Sequence, residues 1–159
     1  MTECTVTLRP ATPEDVDLVF AWANDPVTRA ASFRAAPIDY EAHVAWFARA
    51  LASEGRHLFV ALRGARPVAF VRLERSEDRP STLVVSLNVA PEARGEGVGV
   101  AALRAADDEA RALSATTILA LIREENEASR RTFARAGYVD CGSCEVEGSA
   151  ARRFERSLR

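Results

Sequence analysis

The stretch from Thr82 to Ile122 leaves little choice of fold. Thr82 to Val89 alternates, with Leu83, Val85, Leu87 and Val89 on one face and Thr82, Val84, Ser86 and Asn88 on the other, which is the period of a strand. Gly97 to Leu113 is rich in alanine and predicts a helix, and Thr116 to Ile122 predicts a buried strand. A strand, a helix and a strand in close succession make a crossover, so the two strands should lie parallel with the helix covering one face of their sheet.

The remaining elements have to pack around that unit. Thr5 to Arg9 predicts a first strand. Thr12-Pro13-Glu14-Asp15 supplies an N-cap, a proline at the first helical position and acids in the first turn, so a helix should run to about Asn24, where Asn24-Asp25-Pro26 stops it. An irregular stretch through Phe33 and Pro37 follows, and Asp39 caps a second helix carrying Val44, Phe47 and Leu51 at helical spacing until Gly55. His57 to Leu62 and Pro67 to Leu73 read as a hairpin joined at Arg63 to Arg66. Asn126 to Ala136 is a short helix ended by Gly137, and Tyr138 to Val146 with Arg152 to Leu158 closes the sheet as a last hairpin. The expectation is an α/β fold, with a seven-stranded mixed sheet and about four helices in a single domain over residues 1–159.

Composition narrows the chemistry. All 21 basic residues are arginine, so Schiff-base, pyridoxal-phosphate and P-loop lysine chemistry are excluded together. A net charge of -2 provides no global attraction to nucleic acid or anionic lipid. The start MTECTVTLRP lacks the apolar core of a signal peptide and no apolar run approaches a membrane span, so a cytoplasmic location with no membrane partner is expected. Cys4, Cys141 and Cys144 are read as structural, because Cys141-x-x-Cys144 has no second ligand pair and His43 and His57 are distant in sequence; no metal is expected.

Three glycines at alternate positions, Gly95, Gly97 and Gly99, stand between the fourth strand and its helix. Bare backbone there exposes N–H groups at the positive end of the helix dipole, which suits a phosphate. A dinucleotide fingerprint requires a glycine where Val100 stands, and a Walker loop requires a lysine, so both common nucleotide motifs fail. Arg94-Gly95-Glu96-Gly97-Val98-Gly99 instead resembles the R/Q-x-x-G-x-G/A pyrophosphate loop of the GNAT superfamily of acyl-CoA N-acyltransferases. The likeness extends to Asn88-Val89-Ala90-Pro91 at the end of the fourth strand and to Asn126-Glu127-Ala128-Ser129, which is similar to that superfamily's pantetheine-supporting helix.

That resemblance implies parallel strands four and five that splay apart to admit acetyl-CoA, and a bulge near the end of strand four that turns N–H groups toward the acyl carbonyl. It assigns Leu87, Asn88, Val89, the segment Arg94-Gly95-Glu96-Gly97-Val98-Gly99, Asn126, Ser129 and Phe133 to the cofactor, with Val89 as oxyanion donor. Many members carry a tyrosine seven residues after the asparagine to protonate the leaving thiolate, and here that residue is Phe133. Ser129, one turn earlier on the same face, is the candidate donor in its place, directly or through water. The favoured reading is that its hydroxyl bonds back within its helix, and the thiolate can also leave as an anion or take a proton from solvent. His43 and Glu74 are the candidate bases.

The resemblance also gives the early helices to the acceptor, so Asn24, Asp25, Arg29, Ser32, Phe33, His43 and Trp46 are candidate contacts, with Phe47 read as core. The pattern is similar to acetyltransferases of nucleotide-linked 4-amino sugars. A ribosomal-protein N-terminal acetyltransferase and a non-catalytic acyl-CoA sensor are the alternatives. The expected partner is a small-molecule amine rather than nucleic acid, and many relatives pair through their last strands, which leaves a homodimer open.

Overall fold

A computed structural model describes residues 4–159. Among the described residues, seven strands and five α-helices follow one another as β1 (Thr7–Pro10), α1 (Val16–Ala23), α2 (Pro26–Ala31), α3 (Tyr40–Ala52), β2 (Arg56–Arg63), β3 (Arg66–Arg75), β4 (Thr82–Val89), α4 (Val98–Ala112), β5 (Thr117–Arg123), α5 (Glu127–Arg135), β6 (Val139–Val146) and β7 (Ser149–Ser157). Single 3₁₀ turns at Pro13–Asp15 and Pro91–Ala93 lead into α1 and toward α4.

Local chemistry fixes the helix starts. Thr12 and Asp15 form a capping box, and Asp15 also takes two bonds of 2.8 Å from Arg9, so the end of β1 is clamped to the entry of α1. The Arg9 guanidinium holds the Asp15 carboxyl below its ordinary range. Asp39 caps α3 through Ala42 N at 2.9 Å. The irregular stretch expected after Asn24 contains α2: Asp25 does more than follow the stop of α1, because its carboxylate caps Thr28 N at 3.1 Å with Pro26 in the first turn.

The sheet order is β1-β2-β3-β4-β5-β7-β6. Every neighbouring pair is antiparallel except β4 and β5, as the crossover through α4 requires. That parallel pair holds register at Thr82–Thr117, Leu83–Ile118 and Val84–Leu119 and then parts. No bulge marks the end of β4, which keeps regular register with β3 from Leu83 to Val89; the register shifts lie elsewhere, at Val68 of β3 opposite Ala61 and Leu62 of β2, and between Asp140 and Ser143 of β6 against β7. The splay alone opens the strand edge.

Helices cover both faces. Phe47 of α3 meets Phe70 of β3 at 6.4 Å on one side, and Gly99 of α4 lies against Leu87 and Val89 of β4 on the other. Phe47, Leu73, Leu83, Leu103 and Ile118 are fully buried between these layers, each stabilising the fold by about 1.5–3 kcal/mol. None of the helices among the described residues is long and apolar enough to cross a membrane.

Candidate functional site

Parting strands create a cleft of about 950 Å³ between the ends of β4 and β5. Which backbone groups face it follows from strand parity. Ala90 N donates to Val68 O at 2.8 Å, so the even-numbered residues at this end of β4 bond to β3 and the odd-numbered ones turn their N–H and C=O toward β5. Since β5 pairs no further than Leu119, the N–H groups of Leu87 and Val89 point into the cleft.

One wall is the turn before α4. Gly95 and Gly97 have φ of 77° and 79°, which a side chain would oppose by about 1–2 kcal/mol each. The turn delivers Val98, Gly99 and Val100 to the cleft lining, and Ala101 N is the first amide of α4 to find its intrahelical acceptor, Gly97 O at 3.2 Å. Three free N–H groups at a helix N-terminus make an anion cradle. Gly99 has an ordinary φ but no room, because a Cβ there would sit 2.9 Å from Thr132 Cγ2.

The α5 wall carries Asn126, Ser129, Thr132 and Phe133. Asn126 Oδ1 caps Ser129 N at 3.1 Å, leaving the amide NH₂ to donate into the cleft. Thr132 bonds back to Ala128 O at 3.0 Å, whereas the Ser129 hydroxyl makes no such bond among the described residues. Phe133 is buried with its ring edge-on to Tyr138 at 5.0 Å. Burial pushes the Tyr138 phenol well above its ordinary value, and Tyr138 stands outside the cleft lining, so it does not replace the tyrosine that Phe133 displaces.

Opposite lies the face formed by the early helices and β3. His43, Trp46, Arg29, Ser32 and Phe33 line it, as does Arg72, which β3 places across from Ser86 of β4. His43 is buried, with Nε2 donating to Val16 O at 3.0 Å and its ring between Phe20, Trp46 and Phe47. Burial holds its pKa below the ordinary histidine value, so the ring is neutral at pH 7. Arg29 bonds to Ala23 O, Arg34 O and Ser32 Oγ at 2.7, 2.8 and 3.2 Å.

Four of the candidates, Asn24, Asp25, Glu74 and Glu96, stand outside the cleft lining, Asp25 being spent on the cap of α2 and on Arg94. Asn24 accepts from Ile38 N at 2.8 Å and ties the end of α1 to the segment before α3. Glu96 pairs with Arg63 at 2.5 Å, and Glu74 pairs with Arg72 at 3.2 Å and Arg56 at 3.6 Å. Arg94 lines the cleft, but its guanidinium reaches over to α2, at 2.5 Å from Asp25 Oδ2 and 3.0 Å from Thr28 Oγ1. From the other splayed strand, Arg123 donates to Ala30 O at 2.9 Å and Ser32 O at 3.1 Å. Sequence reading missed Arg72 and Arg123, because an arginine within or ending a strand carries no local mark of the face it takes.

A sheet parted at one parallel pair, with free strand amides on one side and a glycine-started helix on the other, is the framework of an acyl-CoA N-acyltransferase. The chain belongs to the acetyltransferase (GNAT) domain family, which it matches over residues 5–139, and it is an acetyl-CoA-dependent N-acetyltransferase. Comparison with curated proteins finds no match. Among solved structures, the aminoglycoside acetyltransferase AAC(6')-Ib with paromomycin and acetyl-CoA is 18% identical, with a TM-score of 0.86 over 96% of this chain and 93% of that one. A spermidine N-acetyltransferase SpeG chimera from Vibrio cholerae and hSSAT is 16% identical, with a TM-score of 0.82 over 97% and 96%. A protein provisionally assigned as a phosphinothricin N-acetyltransferase is 26% identical, with a TM-score of 0.80 over 98% and 99%.

Proposed function

We propose that this chain acetylates a small primary amine by direct attack in a ternary complex, and that the acceptor is a nucleotide-linked amino sugar handled inside the cell. The observation that carries the reading is the splay after Val84–Leu119, which frees the Leu87 and Val89 N–H groups beside the glycine-started helix. Acetyl-CoA supplies a thioester already activated toward amines. The amides of Val98 to Val100 hold its diphosphate, Asn126 NH₂ holds the pantetheine arm, and Val89 N–H receives the charge that develops on the carbonyl oxygen.

Ser129, with its hydroxyl free, is the proton donor to the leaving sulfur in place of the missing tyrosine. A general base is not required of any side chain. His43 spends Nε2–H on Val16 O and Glu74 is held between two arginines, whereas the arginine-lined cleft favours the neutral form of a bound amine. The same lining opposes a polycationic acceptor and a basic peptide terminus, and accommodates the diphosphate of a nucleotide sugar.

Gly97→Glu tests the assignment, because it adds a carboxylate at the anion cradle. Acetyl-CoA binding by calorimetry should disappear while circular dichroism stays native. Gly97→Ala, which strains the same φ without a charge, should keep measurable affinity. Undiminished binding in the glutamate variant would sink the cofactor site. A sensor differs from an enzyme in releasing no CoA thiol with any amine.

A further inference from the structure

Five arginines, Arg29, Arg72, Arg94, Arg123 and Arg135, line the cleft, and among the described residues no Asp or Glu does. Most of the inward charge is already engaged with protein. Arg29 and Arg123 donate to backbone carbonyls, and Arg94 holds Asp25 and Thr28.

Arg72 is different. Nη2 donates to Ser86 Oγ at 3.2 Å, and the guanidinium carbon lies over the Trp46 ring, 5.2 Å from its centre. Nε is 3.2 Å from Glu74 Oε1 yet has no partner in hydrogen-bond geometry, so the contact is an ion pair without a directed bond. A guanidinium has five N–H donors, and Ser86 occupies one. The Nη1 pair and the second Nη2 hydrogen remain for a ligand. Glu74 is shared with Arg56, so Arg56, Glu74 and Arg72 together retain a net positive charge.

Position gives the ligand its size. Arg72 is paired across the sheet with Ser86, three residues before Val89, which is about 10 Å along a strand. We propose that Arg72, with Ser86 and Trp46, forms an anion subsite in the acceptor half of the cleft. The acceptor is then a primary amine that also carries an acidic group, a carboxylate or a phosphate ester, roughly 5–10 Å from its nitrogen. This rests on the acyl-transfer reading above and adds Arg72 to it as a specificity-determining residue. The arginine anchors the acid, and Val89 N–H lies at the far end, where the amine must react.

The test uses two matched pairs of acceptors with CoA thiol release as readout: 6-aminohexanoate against 6-aminohexanamide, and a UDP-linked 4-amino sugar against the free 4-amino sugar. In at least one pair the acidic member should show kcat/KM about tenfold or more above its neutral counterpart, the size expected for a charge-assisted bidentate contact. Arg72→Gln should remove that preference, chiefly through the KM of the acidic member, and leave the acetyl-CoA Kd unchanged. Arg72→Lys, which keeps the charge and loses the fork, should restore part of it. The pair that responds identifies the source, carboxylate or phosphate.

Equal turnover of acidic and neutral members overturns the subsite, as does a preference that survives Arg72→Gln. Loss of acetyl-CoA binding in Arg72→Gln also overturns it, by assigning Arg72 to the fold or the cofactor. No thiol release from any pair, in protein that binds acetyl-CoA, overturns the acceptor class proposed above and the subsite with it.

Discussion

His43 shows how burial decides a residue's role. A histidine on the acceptor side of an acetyltransferase cleft has the chemistry of a base, but its Nε2–H is committed to Val16 O and three aromatic rings surround it. Desolvation lowers its pKa from 6.5, against smaller opposing contributions from the Val16 carbonyl and Asp17. The unfolded chain therefore binds a proton here more readily than the native one. His43 costs the fold nothing above pH 6.5, and the native state loses stability as pH falls from 6.5 toward the lowered value. His57, also lowered by burial, acts in the same sense. Urea unfolding at pH 7.5 and pH 5.5 should show a drop, at most about 1.4 kcal/mol per unit of pKa shift, that shrinks in His43→Gln and shrinks further when His57→Gln is added. A drop of undiminished size in the double variant would leave the acid sensitivity to other groups.

The contact of α4 with α5 turns on one missing side chain. Gly99→Ala gains about 1 kcal/mol of helix propensity, but its Cβ would meet Thr132 Cγ2 at 2.9 Å, and overpacking of that kind costs about 1–3 kcal/mol. The strain should win: Gly99→Ala should lower Tm by a few degrees and weaken acetyl-CoA binding, since α4 carries the cradle. Thr132→Ser removes Cγ2 and keeps the hydroxyl bond to Ala128, so the double variant should recover most of both losses. Additive losses would place the clash elsewhere. Much at this scale was legible in the sequence, because the signals are local. Thr82 to Val89 is the observed β4, and the alanine run and Asp39 mark α4 and α3. The short α2 is not legible because Asp25-Pro26 reads as a stop, though an acid before a proline is equally an N-cap before the first turn. Arg72 was illegible for another reason: its place depends on which face of β3 the helix α3 covers, and no neighbour in sequence records that.

Across the whole molecule, the β1-to-β4 half and the β5-to-β7 half share three paired positions in the sheet, and α2 lies between their parted ends. It is held from both sides. Arg94, after β4, grips the Asp25 cap at its start, and Arg123, ending β5, takes the carbonyls of Ala30 and Ser32 at its finish. Arg34 adds a third tie from the loop after α2 to Glu147, between β6 and β7, at 2.5 Å. A helix of six residues has almost no stability of its own, so these contacts keep it helical. None of α2 is buried, and its loss should leave the core intact. Arg94→Gln and Arg123→Gln should therefore speed amide hydrogen exchange across residues 25–36 by about tenfold or more, while β2 and β3 keep their protection and Tm falls little. Acceptor KM should rise in the same variants, because Arg29, Ser32 and Phe33 reach the cleft from this segment. If exchange in α2 is unchanged in the double variant, the helix is held by packing, and the two arginines serve the ligands instead.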